Sequence, residues 1–150
     1  MDAGSSYREA AVRGATPVQL VICLYEQAIA DVRRAILALE TGDIRARTRG
    51  INHALKVIGH LHGSLDKDRG GEVARNLERF YSLVRTGLIE AQMKESRKVL
   101  EEQVSLIMVV HEAWLEVERV TAAPIPRPAE LVQTGLVNST AETSSADWNA

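Results

Sequence analysis

The sequence predicts an all-α protein, an antiparallel up-down four-helix bundle with a short N-terminal segment and a disordered C-terminal tail. Apolar residues recur at alternating spacings of three and four, which keeps one face of a helix against a partner helix. Short polar turns separate these stretches, and short connections place successive helices antiparallel to one another. Of the 150 residues, 45% are hydrophobic and only 4% aromatic, which predicts an aliphatic core that helices tolerate well.

The first helix has a well-defined predicted start at Thr16-Pro17-Val18-Gln19. Thr16 and Gln19 have the spacing of a capping box, and proline suits the first helical position because it has no backbone N–H to leave unpaired. Gly42 is predicted to end the helix in the left-handed conformation. The apolar stripe between these signals consists of Val18, Ile22, Tyr25, Ile29, Val32, Ile36 and Leu39.

The second helix is predicted to begin after Asp43 and to end at Asp66, and residues 67–71 are predicted to form a tight polar turn. Arg45, Arg47 and Arg49 are expected to face water. The stripe of this helix consists of Ile44, Ile51, Leu55, Ile58 and Leu65.

The third helix carries a stripe of Ala74, Leu77, Tyr81, Val84, Leu88 and Ala91. The fourth is predicted to start near Ser96, and apolar residues surround most of its circumference. Such a helix is normally central in a bundle or partly covered by something else. Gly59, Gly63 and Gly87 lie inside the predicted helices, where glycine is unfavourable, which indicates close helix packing, harmless exposure or a shallow groove for another chain.

The chain is predicted to divide into three parts. Residues 1–15 form a short N-terminal segment whose one large side chain is Tyr7, and residues 16–120 form the bundle. Residues 121–150 contain Pro124, Pro126 and Pro128 and are rich in Ala, Ser and Thr, a composition typical of a disordered tail.

Charge and cysteine content restrict the location and the partners. Residues 1–120 contain 17 basic and 17 acidic residues, so the bundle lacks the positive footprint of a nucleic-acid binder and the basic cluster of a membrane-surface protein. No apolar stretch approaches the ~20 residues that span a bilayer. A single cysteine, Cys23, and the lack of a signal peptide predict the cytosol.

No pattern of catalytic or metal-ligating residues is evident, so neither an enzyme nor a cofactor is predicted. No Glu-x-x-His pair of a di-iron bundle is present. His53-Ala54-Leu55-Lys56-Val57 resembles the His-x-Leu-Lys-Gly motif of histidine phosphotransfer domains, but Val57 replaces the glycine that leaves room for the partner. That function is kept as an alternative, as is a generic helical adaptor.

Several segments point together to one family. The most specific runs from Leu65 to Tyr81 and contains Leu-Asp, Gly-Gly-Glu, Ala-x-Asn-Leu and Phe-Tyr elements. The other segments are Tyr7 with Ala15 to Glu26, which ends in Leu-Tyr-Glu, then Ala54 to Leu65, and Leu88 to Ala91 with Ala113-Trp114. In order and spacing these segments resemble the flagellar export chaperone family FliS.

The resemblance implies a function and a set of partners. Family members bind the disordered C-terminal segment of flagellin, prevent its premature polymerisation and deliver it to a component of the flagellar type III export gate. The chaperone is expected to be a monomer or a weak homodimer. Tyr7 is then expected to be a removable lid, and exposed apolar side chains of helices two to four are expected to form the client grooves. The candidates are Ile58, Leu61, Leu77, Tyr81 and Val84.

Overall fold

The computed structural model describes Glu9 and residues 14–121, which form four long helices. They are α1 (Pro17–Thr41), α2 (Ile44–Gly63), α3 (Lys67–Lys94) and α4 (Arg97–Thr121). The all-α fold is therefore confirmed. Tyr7 and residues 122–150 lie outside the described residues, so the lid and the disordered tail remain predictions.

Side-chain pairs show that α2 runs antiparallel to α3 and that α4 runs antiparallel to α1, while short connections reverse the chain between successive helices. Early residues of one helix contact late residues of the next, and α4 closes the bundle against α1 in the same way. The pairs are Glu26–His111 (3.3 Å) and Glu40–Arg97 between α1 and α4, and Arg47–Glu95 (3.1 Å) and His62–Glu78 (3.4 Å) between α2 and α3.

The two ends of α1 match the sequence signals. The Thr16 hydroxyl accepts a hydrogen bond from the Gln19 N–H at 3.1 Å, and the Gln19 side-chain oxygen accepts one from the Thr16 N–H at 2.9 Å. This reciprocal pair is the predicted capping box. At the other end Gly42 has φ 74°, the left-handed cap conformation that glycine adopts without steric cost.

The connection between α2 and α3 differs from the prediction. The helix α2 ends at Gly63 rather than Asp66, because the Ser64 hydroxyl bonds to the Leu61 carbonyl (2.9 Å) and the chain turns there. The Asp66 side chain then accepts a hydrogen bond from the Arg69 N–H and caps α3. Residues 67–70 are consequently helical, and only Gly71, with φ 55° and ψ −131°, interrupts the helix.

One arginine expected to face water is buried instead. Arg47 is 7% exposed, and its guanidinium donates hydrogen bonds to Gln92 on α3 (3.3 Å) and to Glu95, the residue that caps the end of α3 (3.1 Å). A long charged side chain can be buried when it is paired in this way. Arg45 and Arg49 are exposed, as predicted.

All four helices contribute to one hydrophobic core. It is aliphatic apart from two tyrosines, Tyr25 and Tyr81, which are 0% and 1% exposed. Burial of each large aliphatic side chain contributes roughly 1.5–3 kcal/mol. The fully buried ones are Val32, Ile51, Val57, Ile58, Leu61, Val84, Leu88, Leu100 and Ile107.

Candidate protein-binding surfaces

A pocket of about 400 Å³ opens at the end of the bundle where α1 begins and α4 approaches its C-terminus. We call it the end pocket. Apolar side chains dominate its walls, and every helix supplies at least one of them. Those side chains include Val21, Leu61, Leu65, Leu77, Tyr81 and Trp114.

Two of the side chains that line the end pocket, Tyr81 and Trp114, are aromatic, and both interact with the buried Tyr25. The Tyr25 and Tyr81 hydroxyls lie 2.8 Å apart in a buried hydrogen bond, and their rings meet edge to face with centroids 6.2 Å apart. Trp114 packs against Tyr25 from the other side, with centroids 6.4 Å apart. Burial raises the pKa of both phenols above the usual value, and each phenol further influences the other. The two tyrosines therefore stay neutral and hold α1 against α3 beside the pocket.

The structure places the five predicted groove residues differently from one another. Ile58, Leu61, Tyr81 and Val84 are 0–1% exposed, so the expectation that they are exposed is wrong. Spacings of three and four identify the buried face of a helix, and these residues are on it. The half-buried Leu77 lines the end pocket together with Leu61 and Tyr81.

A second apolar surface lies on α4. Leu106, Val109, Ala113 and Val117 follow one another at spacings of three and four, so they share one side of the helix. Val109 is 69% exposed, Leu106 36% and Val117 39%. We call this the α4 apolar face. Only one signal in the sequence pointed to it, the excess of apolar residues around the fourth helix.

Contact between α3 and α4 beside this face depends on Gly87. A Cβ atom at Gly87 would lie 2.2 Å from the amide nitrogen of Gln103, which is only 5% exposed. The Gln103 side chain therefore lies directly across the glycine. Close helix packing, rather than a groove for another chain, is thus the role of the glycine at this position.

Neither a cluster of metal ligands nor a membrane-spanning helix is found among residues 14–121 and Glu9. In that part of the chain, His, Cys, Asp and Glu side chains form no group of three that could hold a metal ion. None of the four helices is long and apolar enough to cross a membrane.

Two extended apolar surfaces on a closed helical bundle are typical of a protein that binds another chain. Comparison with known proteins identifies the family. The family model described as flagellar protein FliS matches residues 1–121. This chain belongs to the FliS family.

FliS relatives come from several bacteria. The chain is 34% identical over 110 residues to the flagellar secretion chaperone FliS of Salmonella typhimurium, which is 73% of this chain and 82% of that protein. It is 33% identical over 106 residues to FliSB of Pseudomonas aeruginosa, 71% and 84% of the two chains. It is 24% identical over 110 residues to FliS of Bacillus subtilis, 73% and 81%. FliS is a family of flagellar secretion chaperones and not of enzymes.

Proposed function

We propose that this chain is a cytosolic export chaperone that binds the disordered C-terminal segment of flagellin. In this proposal it prevents flagellin from polymerising prematurely and delivers it to the flagellar type III export apparatus. The α4 apolar face is the observation that carries the proposal. Exposed apolar side chains aligned on one helix side suit a client that folds into a short helix on binding.

The energetics of such binding require a large apolar contact. A disordered segment loses conformational entropy when it becomes ordered, so the buried area must compensate for that loss. The α4 apolar face and the end pocket offer separate apolar contacts to an extended client. No nucleotide or catalytic step is needed, because the client can be released by competition at the export gate.

The role of Tyr7 in this proposal is that of a lid. The end pocket lies close to the point where the chain enters α1, since Val21 on its wall is only five residues after Thr16. A segment that precedes Thr16 is therefore long enough to reach the pocket. We propose that residues 1–15 cover the end pocket and move aside when the client binds.

The main test is calorimetric titration of the chain with a peptide that covers the C-terminal segment of flagellin from the same organism. We expect one-to-one binding with a large negative heat-capacity change, the mark of apolar burial. No heat at about 50 μM would contradict the proposal.

A matched pair of variants locates the contact. Leu106→Gln with Val109→Gln removes apolar surface from the α4 apolar face, whereas Leu37→Gln with Ile44→Gln removes it elsewhere. The last two side chains are 61% and 62% exposed. We expect the first pair to weaken binding by about tenfold, or about 1.4 kcal/mol, and the second to change it by less than about twofold. Equal losses would exclude α4 as the client surface.

The lid has its own test. Tyr7→Ala is expected to raise client affinity by about threefold or more, because it removes a competitor for the end pocket. Hydrogen exchange of residues 1–15 should increase when the client is added. Unchanged affinity together with unchanged exchange would refute the lid without affecting the proposal for the α4 apolar face.

A further inference from the structure

A second pocket, of about 600 Å³, lies between α1 and α2, away from both apolar surfaces, and its exposed walls are basic. Arg34 comes from α1, and Arg49, Asn52 and Lys56 come from α2. The α2 residues belong to a row that starts at Arg45, with spacings of four, three and four along one exposed side of the helix. At 1.5 Å per residue this row is about 16 Å long. We call it the basic row.

The one acidic side chain in this pocket is already neutralised. The Asp31 side chain is 1% exposed, and its carboxylate accepts hydrogen bonds from Gln27 at 3.0 Å and from Arg34. Its other oxygen lies 2.5 Å from Nδ1 of His53. A buried carboxylate with three partners has no remaining capacity to balance Arg49 and Lys56. The pocket therefore presents positive charge to an incoming molecule.

The cations of the basic row lack acidic partners within the chain that the structure describes. No ion pair to Arg45, Arg49 or Lys56 is formed there, whereas the neighbouring Arg47 pairs with Glu95. Helix α2 contains four Lys and Arg residues and not one Asp or Glu. The other helices of the bundle carry both acidic and basic residues, the pattern typical of a solvent-exposed helix.

The position of these charges is unfavourable for α2 itself. Arg45 and Arg47 lie in its first turn, where the helix dipole favours negative charge. Arg45 and Arg49 are four residues apart, and like charges at that spacing repel each other. In the isolated bundle an acidic residue in place of the exposed Arg45 would remove both of these unfavourable interactions. An anionic partner would offset both effects, because its charge attracts the arginines and is favoured at a helix N-terminus.

We propose that the basic row and its pocket bind an acidic segment of a partner protein, at a site separate from the client surfaces. A helix with carboxylates at matching spacing would place them opposite Arg45, Arg49 and Lys56, and Asn52 can donate a hydrogen bond between them. Three unpaired cations are fewer than the four to eight, roughly, that hold a protein on anionic lipids. The neutral bundle also lacks the extended positive face that nucleic-acid binding uses. An acidic protein segment is therefore the partner that the site fits.

The test uses the full chain and a designed probe. The probe is a fluorescent Ala/Gln helix with Glu at spacings of four, three and four, and its control has Gln at those positions. Fluorescence anisotropy at about 50 mM salt should show binding of the Glu peptide alone, weakening steeply by about 300 mM. Amide shifts in nuclear magnetic resonance spectra should centre on Arg49, Asn52 and Lys56.

Charge reversal provides the decisive comparison. Arg49→Glu with Lys56→Glu should weaken probe binding by about tenfold or more. The control variant Arg75→Glu with Lys98→Glu makes the same change in net charge at exposed positions on α3 and α4. It should change the affinity for the probe by less than about twofold. Equal losses in both variants, or no binding by the unmodified chain, would overturn the proposal.

Two further measurements distinguish the basic row from the client surfaces and from a membrane-binding patch. The variant Arg49→Glu with Lys56→Glu should bind the flagellin peptide as tightly as the unmodified chain does. If the variant also lost affinity for the flagellin peptide, the basic row would be part of the client site, and the proposal of a separate site would be overturned. Vesicles of phosphatidylglycerol and phosphatidylcholine should not sediment the unmodified chain. Sedimentation that the same variant abolishes would identify a membrane surface instead and also overturn the proposal.

Discussion

The hydroxyls of Tyr25 and Tyr81 lie 2.8 Å apart in the interior of the bundle and join α1 to α3 across the core. Within the described chain Tyr25 is the one hydrogen-bond partner of the Tyr81 hydroxyl, whereas Tyr25 also interacts with Trp114. Tyr25→Phe therefore leaves a buried phenol unpartnered and should lower the free energy of unfolding by about 1–3 kcal/mol. Tyr81→Phe should lower the free energy of unfolding by less, because the Tyr25 hydroxyl still interacts with the indole of Trp114.

Urea denaturation of both single variants and of the double variant measures this difference. The double variant should be less destabilised than the sum of the single ones, because it removes both members of the pair together. Additive losses would show that the hydroxyls do not stabilise each other.

The same two phenols predict a dependence of stability on high pH. Burial raises the pKa of Tyr25 and Tyr81 in the folded state, so both remain protonated where an unfolded tyrosine ionises, at about pH 10. Their contribution to stability is complete below that pH and is lost as the pH rises from there towards their folded-state pKa values.

Phenolate absorbance in a Tyr7→Phe chain measures the effect, because Tyr25 and Tyr81 are then the remaining two of three tyrosines. We expect no phenolate signal near pH 10 until circular dichroism reports unfolding, and immediate ionisation in the urea-denatured chain. A native chain that titrates both phenols near the usual pKa would contradict their burial.

Gly50 allows α1 and α2 to approach closely. A Cβ atom there would lie 2.8 Å from the Asp31 carbonyl oxygen, which is backbone and cannot swing away. Gly50→Ala should therefore destabilise the protein by about 1–3 kcal/mol through overpacking.

Gly59→Ala, on the same helix, is the control. The new Cβ there meets only the end of the Arg85 side chain at 3.3 Å, and the better helix propensity of alanine should stabilise the protein by up to about 1 kcal/mol. Thermal denaturation compares the two, and a Gly50→Ala chain as stable as the Gly59→Ala chain would refute the close approach.

Gln103 and Gln92 are both glutamines at helix interfaces, but their amides are used differently. The Oε1 atom of Gln103 is buried and has no hydrogen-bond partner within the described chain, whereas Gln92 bonds to Arg47 at 3.3 Å and Thr48 at 3.0 Å. Gln103→Met should therefore stabilise the protein by about 1 kcal/mol, and Gln92→Met should destabilise it by a similar amount. Denaturant midpoints of both variants test the pair. A destabilised Gln103→Met chain would mean that the amide makes a contact that methionine cannot replace.

Much of the fold followed from local rules that act within a few residues. The capping box at Thr16 and the glycine cap at Gly42 use only groups within a few residues along the chain, so both were predictable. The end of α2 was not, because Gly63, Ser64 and Asp66 all allow a helix end, and the sequence alone does not show that the Ser64 hydroxyl bonds to the Leu61 carbonyl. Arg47 was misplaced for a similar reason, since its partners Gln92 and Glu95 are more than 40 residues away along the chain.

The candidate surfaces were less predictable than the fold. An apolar side chain at a helical spacing of three or four can be in the core or on a binding face, and the pattern is the same in both cases. Val84 and Val109 show this, being 0% and 69% exposed. Only the relative rotation of the helices about their axes separates them, and that rotation is set by the packing of all four.

The connections between the helices have a consequence for the time at which the protein becomes functional. Two residues join α1 to α2, three join α2 to α3, and two join α3 to α4. Helices that are adjacent along the chain are thus adjacent in space, and helical bundles with such local contacts fold in microseconds to milliseconds. Ribosomes add only about 5–20 residues per second. A secretion chaperone of this kind is folded almost as soon as it is released, and can meet a client that is still being synthesised.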